Sequence, residues 1–214
     1  MNIPPSGKLF AIYKPKGPSS HDVLYPLKRK YKGEKVGHAG TLDPLASGVL
    51  VVAVGRQATK KLHLAEFSEK EYVTTIKLGA YSTTDDDEGG KEDIAVSEAP
   101  SLDTVKRAVR SFVGQISQVP PQFSAVKKAG QPAYKGARRG ERVELAPRPV
   151  EVKGIDIIEY NWPLLKLRVV TGRGVYIRSL ARDIGKALKT GGFVLELERT
   201  RVGNFRREDA IESL

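Results

Sequence analysis

Apolar positions along the chain change between two periods, which predicts a mixture of strands and helices. The longest wholly apolar run, Val49 to Val54, holds four valines in six residues and predicts a strand buried on both faces. Residues 8–14 predict an earlier strand, and Glu71 to Ala80 predicts another with Tyr72 on its more apolar face. Further strands are predicted over Val150–Tyr160, Leu164–Thr171 and Phe193–Leu197.

A helical period replaces the alternating one in several stretches. Ser20 can cap a helix running to about Lys32, although Pro26 predicts a kink or a late start. Thr59 to Ala65 predicts a short helix, and Ser101 caps another. The last helix is amphipathic, with an apolar face formed by Ile177, Leu180, Ala181, Ile184 and Leu188. Because no repeat and no long linker separates these elements, we expect them to share one mixed core.

Residues 83–101 are rich in acids, with carboxylates at each position from 85 to 88. An EF-hand loop would need its closing glutamate at position 96, which is Val96. We therefore interpret the segment as a solvated turn.

The charge of the chain predicts a polyanionic partner. The formal net charge is +11, and the excess is concentrated in residues 101–150, with ten basic residues against three acids. Within that region, residues 127–148 interleave cations with Tyr134 and glycines. This mixture is typical of a flexible loop that holds phosphates and a stacked base, although a solvated face gives the same composition.

Several classes of function are excluded by residue type and spacing. The chain has no cysteine, and its histidines, His21, His38 and His63, lack metal-ligand spacing, so no metal site is expected. No phosphate loop or dinucleotide fingerprint is present, so no nucleotide cofactor is expected. Hydrolase triads are not supported. Ser20 is adjacent in sequence to His21 and Asp22, so their side chains diverge and cannot form a relay, and Ser47 does not lie in a nucleophile elbow. We expect neither a membrane span nor a signal peptide, and we expect a cytoplasmic protein.

One carboxylate is placed for rigid presentation. Asp43 lies in a glycine-flanked loop directly before the valine-rich strand, and Pro44 confines it to extended backbone angles. It can serve as the cap of a short helix beginning at Pro44, or as a catalytic acid held beside the sheet. The spacing alone leaves both interpretations open.

Five ordered blocks carry a resemblance to a known family. They are GHAGTLDPLASGVLVVAVGRQATK, KEYVTTIKLGAYSTTDDDEG, QVPPQFSAVKKAGQPAYKGARRG, GVYIRSLARDIG and LERTRVGNF. Over nearly its whole length the chain resembles the TruB family of tRNA pseudouridine synthases. The resemblance implies an α+β pseudouridine synthase fold, with a mixed, mainly antiparallel sheet flanked by helices and a basic thumb-like insertion at about residues 120–150.

The resemblance also implies an active site without cofactor or metal. Asp43 matches the aspartate required for cleavage of the base-to-ribose bond in uridine 55 of the tRNA T arm. Tyr72 matches the tyrosine that stacks on the flipped uracil, and Arg178 the arginine that pairs with the aspartate. The other matching positions are the pocket-lining Tyr176 and Leu197, and His38, which helps to extrude the nucleotide.

The expected partner is the T stem-loop of tRNA, bound by a monomer. Cationic and aromatic residues in the basic segments are assigned to RNA binding: Lys14, Lys60, Lys127, Lys128, Tyr134, Arg138 and Arg139. We expect residues 1–214 to form a single catalytic domain without the C-terminal PUA domain of many bacterial relatives. The insertion would then carry a larger share of RNA binding.

Alternatives remain open at this stage. A guide-RNA-dependent synthase of the dyskerin type is the nearest one, and PLASG after the aspartate argues against it. The chain could instead act chiefly as a tRNA-folding chaperone, or be an inactive RNA-binding relative. Whether Asp43 attacks the sugar or removes its 2′ proton is also left open.

Overall fold

The computed structural model describes residues 6–128 and 130–212, which form strands, helices and two short 3-10 turns. The strands are β1 (Leu9–Lys14), β2 (Val36–Ala39), β3 (Ser47–Val54), β4 (Lys70–Leu78), β5 (Ala80–Ser82), β6 (Lys91–Asp93), β7 (Gly114–Gln118), β8 (Lys127–Lys128), β9 (Gln131–Pro132), β10 (Arg148–Asn161), β11 (Leu164–Thr171), β12 (Gly192–Val202) and β13 (Phe205–Arg206). The helices are α1 (Tyr25–Lys30), α2 (Arg56–Lys60), α3 (Leu62–Phe67), α4 (Leu102–Arg110), α5 (Ala133–Arg138) and α6 (Ile177–Ala187).

The main sheet has nine strands. Its hydrogen-bonded order is β1-β3-β12-β4-β11-β10-β7, with β2 also on β3 and β13 also on β12. β12 runs parallel to β3, whereas β1 and β2 both pair with β3 in the antiparallel sense. The predicted α+β class, with a mixed sheet and accompanying helices, is therefore confirmed.

Two compact units divide the chain. The first comprises residues 1–73, 170–173 and 197–214, and the second comprises residues 74–169 and 174–196. That the whole chain forms a single domain stays a prediction. None of the helices within the described residues has the length and apolarity needed to span a bilayer.

The core of the first unit forms around β3, as the valine-rich run predicts. Val49 to Val54 are fully buried, so both faces of the strand are covered. The register with β1 places Leu9 opposite Ala53 and Tyr13 opposite Val49. This rigid strand directly follows the loop that contains Asp43, so it fixes the carboxyl-terminal end of that loop.

The first helix begins later than its apolar spacing suggests. A 3-10 turn covers Asp22–Leu24, and α1 starts at Tyr25 with Pro26 in its first turn, which confirms the predicted late start. The prediction that Ser20 caps this helix is wrong. Ser19 instead exchanges hydrogen bonds with Asp22.

The second unit corrects the interpretation of the acidic connector as a solvated turn. Asp86 is buried, and Asp85 is largely shielded from solvent because each pairs with an arginine of α6. The side chain of Ser101 accepts a hydrogen bond from Thr104 N, so the predicted cap of α4 is confirmed. The last predicted strand, which was expected to end at Leu197, continues to residue 202 in β12.

Candidate active site

Asp43 lies in a tight turn rather than at the start of a helix. Residues 44–45 form the turn, and Ala46 N donates to Asp43 O at 3.1 Å. The interpretation of Asp43 as a helix cap is therefore wrong, because no helix follows it. We call residues 40–48 the aspartate loop.

Two polar side chains, Lys14 and Ser20, hold the aspartate loop through hydrogen bonds to its backbone. Lys14 Nζ donates to the carbonyl oxygens of Pro15 and Pro18 at 2.9 Å each and to Pro44 O at 3.4 Å. Ser20 Oγ donates to Leu42 O and accepts from Leu42 N, both at 2.8 Å. The residues on both sides of Asp43 are thus anchored, which limits how far its carboxylate can move.

The structure corrects the assignment of Lys14 to RNA binding. Its side chain is fully buried, and its ammonium is surrounded by the carbonyl oxygens just described. A buried ammonium with such partners is not available to a phosphate. Lys14 is therefore a positioning residue of the aspartate loop.

Arg199, on β12, completes the support of the loop. Its Nε donates to Val49 O at 2.8 Å and its Nη2 to Gly40 O at 2.7 Å, although the residue is only 2% exposed. A Cβ added at Gly40 would lie 3.2 Å from Arg199 Nη1, and one added at Gly48 would lie 2.2 Å from Arg199 O. Glycine at both positions lets the loop close onto this arginine.

The charge of Arg199 also interacts with two of the predicted functional residues of the first unit, Asp43 and Tyr72. Burial lowers the pKa of Arg199, whereas its interactions with Tyr72 and with the negative charge of Asp43 raise it. Asp43, Tyr72 and Arg199 therefore form one electrostatic cluster.

Sequence reasoning missed Arg199. Its only signal was its position in the LERTRVGNF block, two residues after Leu197. A buried arginine is rare unless it is paired, so composition gave no reason to place it inside. Leu197 is itself buried, as a core residue would also be, and its role in lining the uracil pocket stays a prediction.

His38 lies on β2 and is half-buried. Its Nδ1 is buried and has no hydrogen-bond partner among the residues that the structure describes. Burial lowers its pKa, and the positive charges of Arg199, His21 and Lys28 lower it further. At neutral pH the ring is therefore uncharged and can pack against a nucleotide as a neutral group.

In the second unit, Arg178 forms an ion pair with Asp86, which the sequence analysis had assigned to a solvated turn. Its Nη1 lies 3.3 Å from Asp86 Oδ2 and 3.2 Å from Thr84 O, and its Nη2 donates to Phe123 O at 2.8 Å. Both charged side chains are about 95% buried or more. The predicted pairing of Arg178 with Asp43 joins residues of different units and stays a prediction.

Tyr176 precedes α6 and is oriented through its backbone. Gln118 Oε1 accepts from Tyr176 N at 2.9 Å, and Gln118 Nε2 donates to Tyr176 O at 3.2 Å. Gln118 is itself buried at the end of β7. This two-bond clamp was not predicted, and it fixes where the Tyr176 side chain leaves the chain.

Comparison with known proteins identifies the fold and its family. Residues 28–177 match the family described as TruB family pseudouridylate synthase (N terminal domain), and residues 178–213 match the tRNA pseudouridylate synthase B C-terminal domain. The chain belongs to the TruB family. The family resemblance carried by the five blocks is thus confirmed.

Individual relatives of this TruB-family chain are similar over most of its length. A protein of Parabacteroides distasonis named tRNA pseudouridine synthase B is 43% identical over 92% of this chain and 86% of that protein. Another of that name, from Francisella philomiragia, is 45% identical over 94% of this chain and 67% of that protein. The crystal structure of a Cbf5-Nop10-Gar1 complex contains a chain with a TM-score of 0.70 and 33% identity. That match covers 92% of this chain and 49% of the other, so the TruB-family chain spans about half its length.

The cations predicted to bind RNA differ in how free they are. Lys60, Lys127 and Lys128 are exposed, although Lys128 Nζ lies 3.9 Å from a carboxylate of Glu144. The insertion contains helix α5 where a flexible loop was predicted, and the guanidinium of Arg138 lies 5.5 Å from the centre of the Tyr134 ring. Arg139 donates to both carboxylate oxygens of Glu141, at 2.7 and 2.9 Å.

Within the described residues, no three side chains of histidine, cysteine, aspartate or glutamate lie close enough together to hold a metal ion. In the first unit, the side chains that interact with one another are the Asp43 carboxylate, Tyr72 and the Arg199 guanidinium. These can bind, stack and stabilise charge at a sugar.

Proposed function

We propose that this TruB-family chain isomerises uridine 55 to pseudouridine in the T arm of tRNA. The nucleotide is flipped out of the RNA, the bond between base and ribose is broken, and uracil is rejoined through C5 to C1′. The proposal includes the monomer as the acting form and the cytoplasm as its location, as predicted from the sequence.

The observation that carries the proposal is the rigid presentation of Asp43 in a chain of this family. The aspartate loop is anchored on both sides of the carboxylate, and the buried charge of Arg199 links that carboxylate to Tyr72. Such a group needs little reorganisation when charge develops at C1′ or C2′ of the ribose. Covalent attack and removal of the 2′ proton both require this arrangement.

Base flipping gives the remaining residues their roles. Extrusion of a nucleotide costs a few kcal/mol, which stacking and phosphate contacts must offset. In this proposal Tyr72 stacks on the flipped uracil, and His38 provides a neutral ring for extrusion. Arg178, held by Asp86, supplies a fixed positive charge for the aspartate or the substrate.

The test is a modification assay with purified chain and unmodified tRNA transcript, with pseudouridine mapped by chemical modification and primer extension. We expect one product, at position 55, from the natural sequence and none from Asp43→Asn. A transcript with cytidine at position 55 is the matched substrate control. Absence of product from the natural sequence, or equal product from Asp43→Asn, would refute the proposal.

A guide-RNA-dependent synthase is the second candidate, because the chain of the Cbf5-Nop10-Gar1 complex has the same fold at 33% identity. The same assay separates the two. Product formed from free tRNA, without added guide RNA or protein, supports the stand-alone enzyme. Product that appears only when a guide RNA and its proteins are added supports the second candidate.

A further inference from the structure

A basic cavity lies along α1, outside the residues assigned above to the reaction. It has a volume of about 570 Å³ and is lined by His21, Tyr25, Lys28, Arg29 and Lys32. Tyr25 is 62% exposed, which is unusual for so large an aromatic residue. We call this feature the α1 cavity. Ligand cavities span about 300–1,000 Å³, so it has room for a nucleotide.

The cations of the α1 cavity carry no ion pair among the described residues. Arg29 and Lys32 are exposed. Lys28 is half-buried, and its Nζ donates to His21 Nε2 at 2.9 Å rather than to a carboxylate. By contrast, the exposed Arg139 and Arg168 each have an acid partner, at 2.7 and 2.6 Å. The α1 cavity therefore keeps a positive potential that its surroundings do not neutralise.

The acids nearest in sequence are already engaged. Asp22 accepts hydrogen bonds from Ser19 N at 2.9 Å and from Ser19 Oγ at 2.7 Å, and these bonds lower its pKa. Glu34 accepts a hydrogen bond from the Ser6 hydroxyl. Neither carboxylate forms an ion pair with a cavity cation, which leaves the exposed Arg29 and Lys32 accessible to an external anion.

The α1 cavity is joined to the aspartate loop within the first unit. His21 follows Ser20, whose hydroxyl holds both backbone groups of Leu42, the residue before Asp43. Leu24 of the 3-10 turn and Leu27 of α1 lie in one apolar cluster with Val36 of β2, the strand that carries His38. RNA that reaches Asp43 and His38 can therefore extend onto the neighbouring helix α1.

We propose that the α1 cavity binds RNA, with the phosphates of nucleotides next to the flipped uridine on Lys28, Arg29 and Lys32 and a base against Tyr25. The inference rests on the proposed function and deepens it by naming where the flanking strand is held. Lysine and arginine supply the charge that phosphates need, and an exposed aromatic ring can stack on any base. An acidic peptide would use the cations but not the ring, which favours RNA.

The test compares two triple variants of the full chain. Lys28→Gln/Arg29→Gln/Lys32→Gln removes the cavity charge, and Lys106→Gln/Arg110→Gln/Lys186→Gln removes two lysines and one arginine from exposed positions of α4 and α6. Dissociation constants for unmodified tRNA and for the isolated T-arm hairpin are measured by fluorescence anisotropy at several salt concentrations. Circular dichroism confirms that each variant is folded.

We expect the cavity variant to lose about tenfold or more in affinity for RNA, and its salt slope to fall by about two, because each lost phosphate contact lowers that slope by about 0.7–0.9. The control variant should lose less than about threefold. Tyr25→Ala should lose about fivefold or more, with Tyr25→Phe near the natural value.

Equal losses in the cavity and control variants would overturn the inference, as would an unchanged affinity in Tyr25→Ala. The failure of the proposed function is separate from this outcome. It is seen in the natural sequence as absence of pseudouridine, whereas the binding comparison is made between variants and needs no turnover.

Discussion

Arg199→Met is the substitution that tests the clamp on the aspartate loop most directly. Methionine is an unbranched apolar residue that can replace the aliphatic part of arginine but has no donor, so it leaves Val49 O and Gly40 O without their partners at 2.8 and 2.7 Å. A hydrogen bond from a charged group contributes about 1.5–3 kcal/mol, so two bonds amount to about 3–6 kcal/mol. Removing a buried ion offsets part of this loss. We expect a net fall of about 2–4 kcal/mol in the free energy of unfolding.

The catalytic effect of Arg199→Met should exceed its effect on RNA binding. Asp43 and Tyr72 both lose their interaction with a nearby positive charge. A displacement of about 1 Å in a reacting group can cost about 10²-fold in rate. Single-turnover pseudouridine formation with saturating enzyme should therefore slow by about 10²-fold, while the dissociation constant for tRNA changes by less than about threefold.

Arg201→Met is the matched control, because Arg201 lies on the same strand and pairs at 2.6 Å with Glu69 near the surface. We expect its rate to stay within about twofold of the natural value, since the partners of Arg201, Glu69 and Gly203, lie outside the aspartate loop. A double-mutant cycle with Tyr72→Phe should show coupling between Arg199 and the hydroxyl. A folded Arg199→Met variant with the natural rate would refute the reasoning.

Three other predictions follow from buried groups. Lys14→Met should lower the free energy of unfolding, measured by chemical denaturation, by about 2–4 kcal/mol because carbonyl oxygens lose their donor. A variant with natural stability, but with RNA binding that depends less on salt, would contradict the positioning role. Burial lowers the pKa of Lys70 from 10.5 to about 8, so the unfolded chain binds more protons between those values and stability should rise with pH there, by at most about 3 kcal/mol. Denaturation from pH 7 to 10.5 should show this rise relative to Lys70→Met, and identical pH profiles would refute it. Gly48→Ala should cost about 3 kcal/mol or more, since its Cβ would lie 2.2 Å from Arg199 O at a φ of +112°; thermal unfolding near the natural temperature would contradict that strain.

The apolar skeleton of the fold could be predicted from sequence because burial of valine and isoleucine follows local periodicity. Val49 to Val54 predicted β3, and Pro26 predicted the late start of α1. The extent of β12 could not be predicted, because residues 198–201 are charged or polar and give no apolar alternation.

The buried ions of the site were the principal failure. Rules of composition place arginine, lysine and aspartate at the surface, whereas Arg199, Lys14 and Asp86 are all inside. Their partners are distant in the chain: 92 residues separate Arg178 from Asp86, and 150 separate Arg199 from Val49. Local patterns contain no information on such pairings. Asp86 and Arg199 lie in family blocks, whereas Lys14 lies outside all five.

The parallel pairing of β12 with β3 gives the order in which the protein becomes competent. During synthesis the ribosome makes Asp43 and its turn more than 150 residues before it makes Arg199. Until β12 has emerged from the ribosome, the exposed part of the nascent chain contains the Asp43 carboxylate but not the Arg199 guanidinium that supports its loop. Catalytic competence therefore arrives late in translation and depends on closing one of the longest loops in the polypeptide, a slow step for any folding chain.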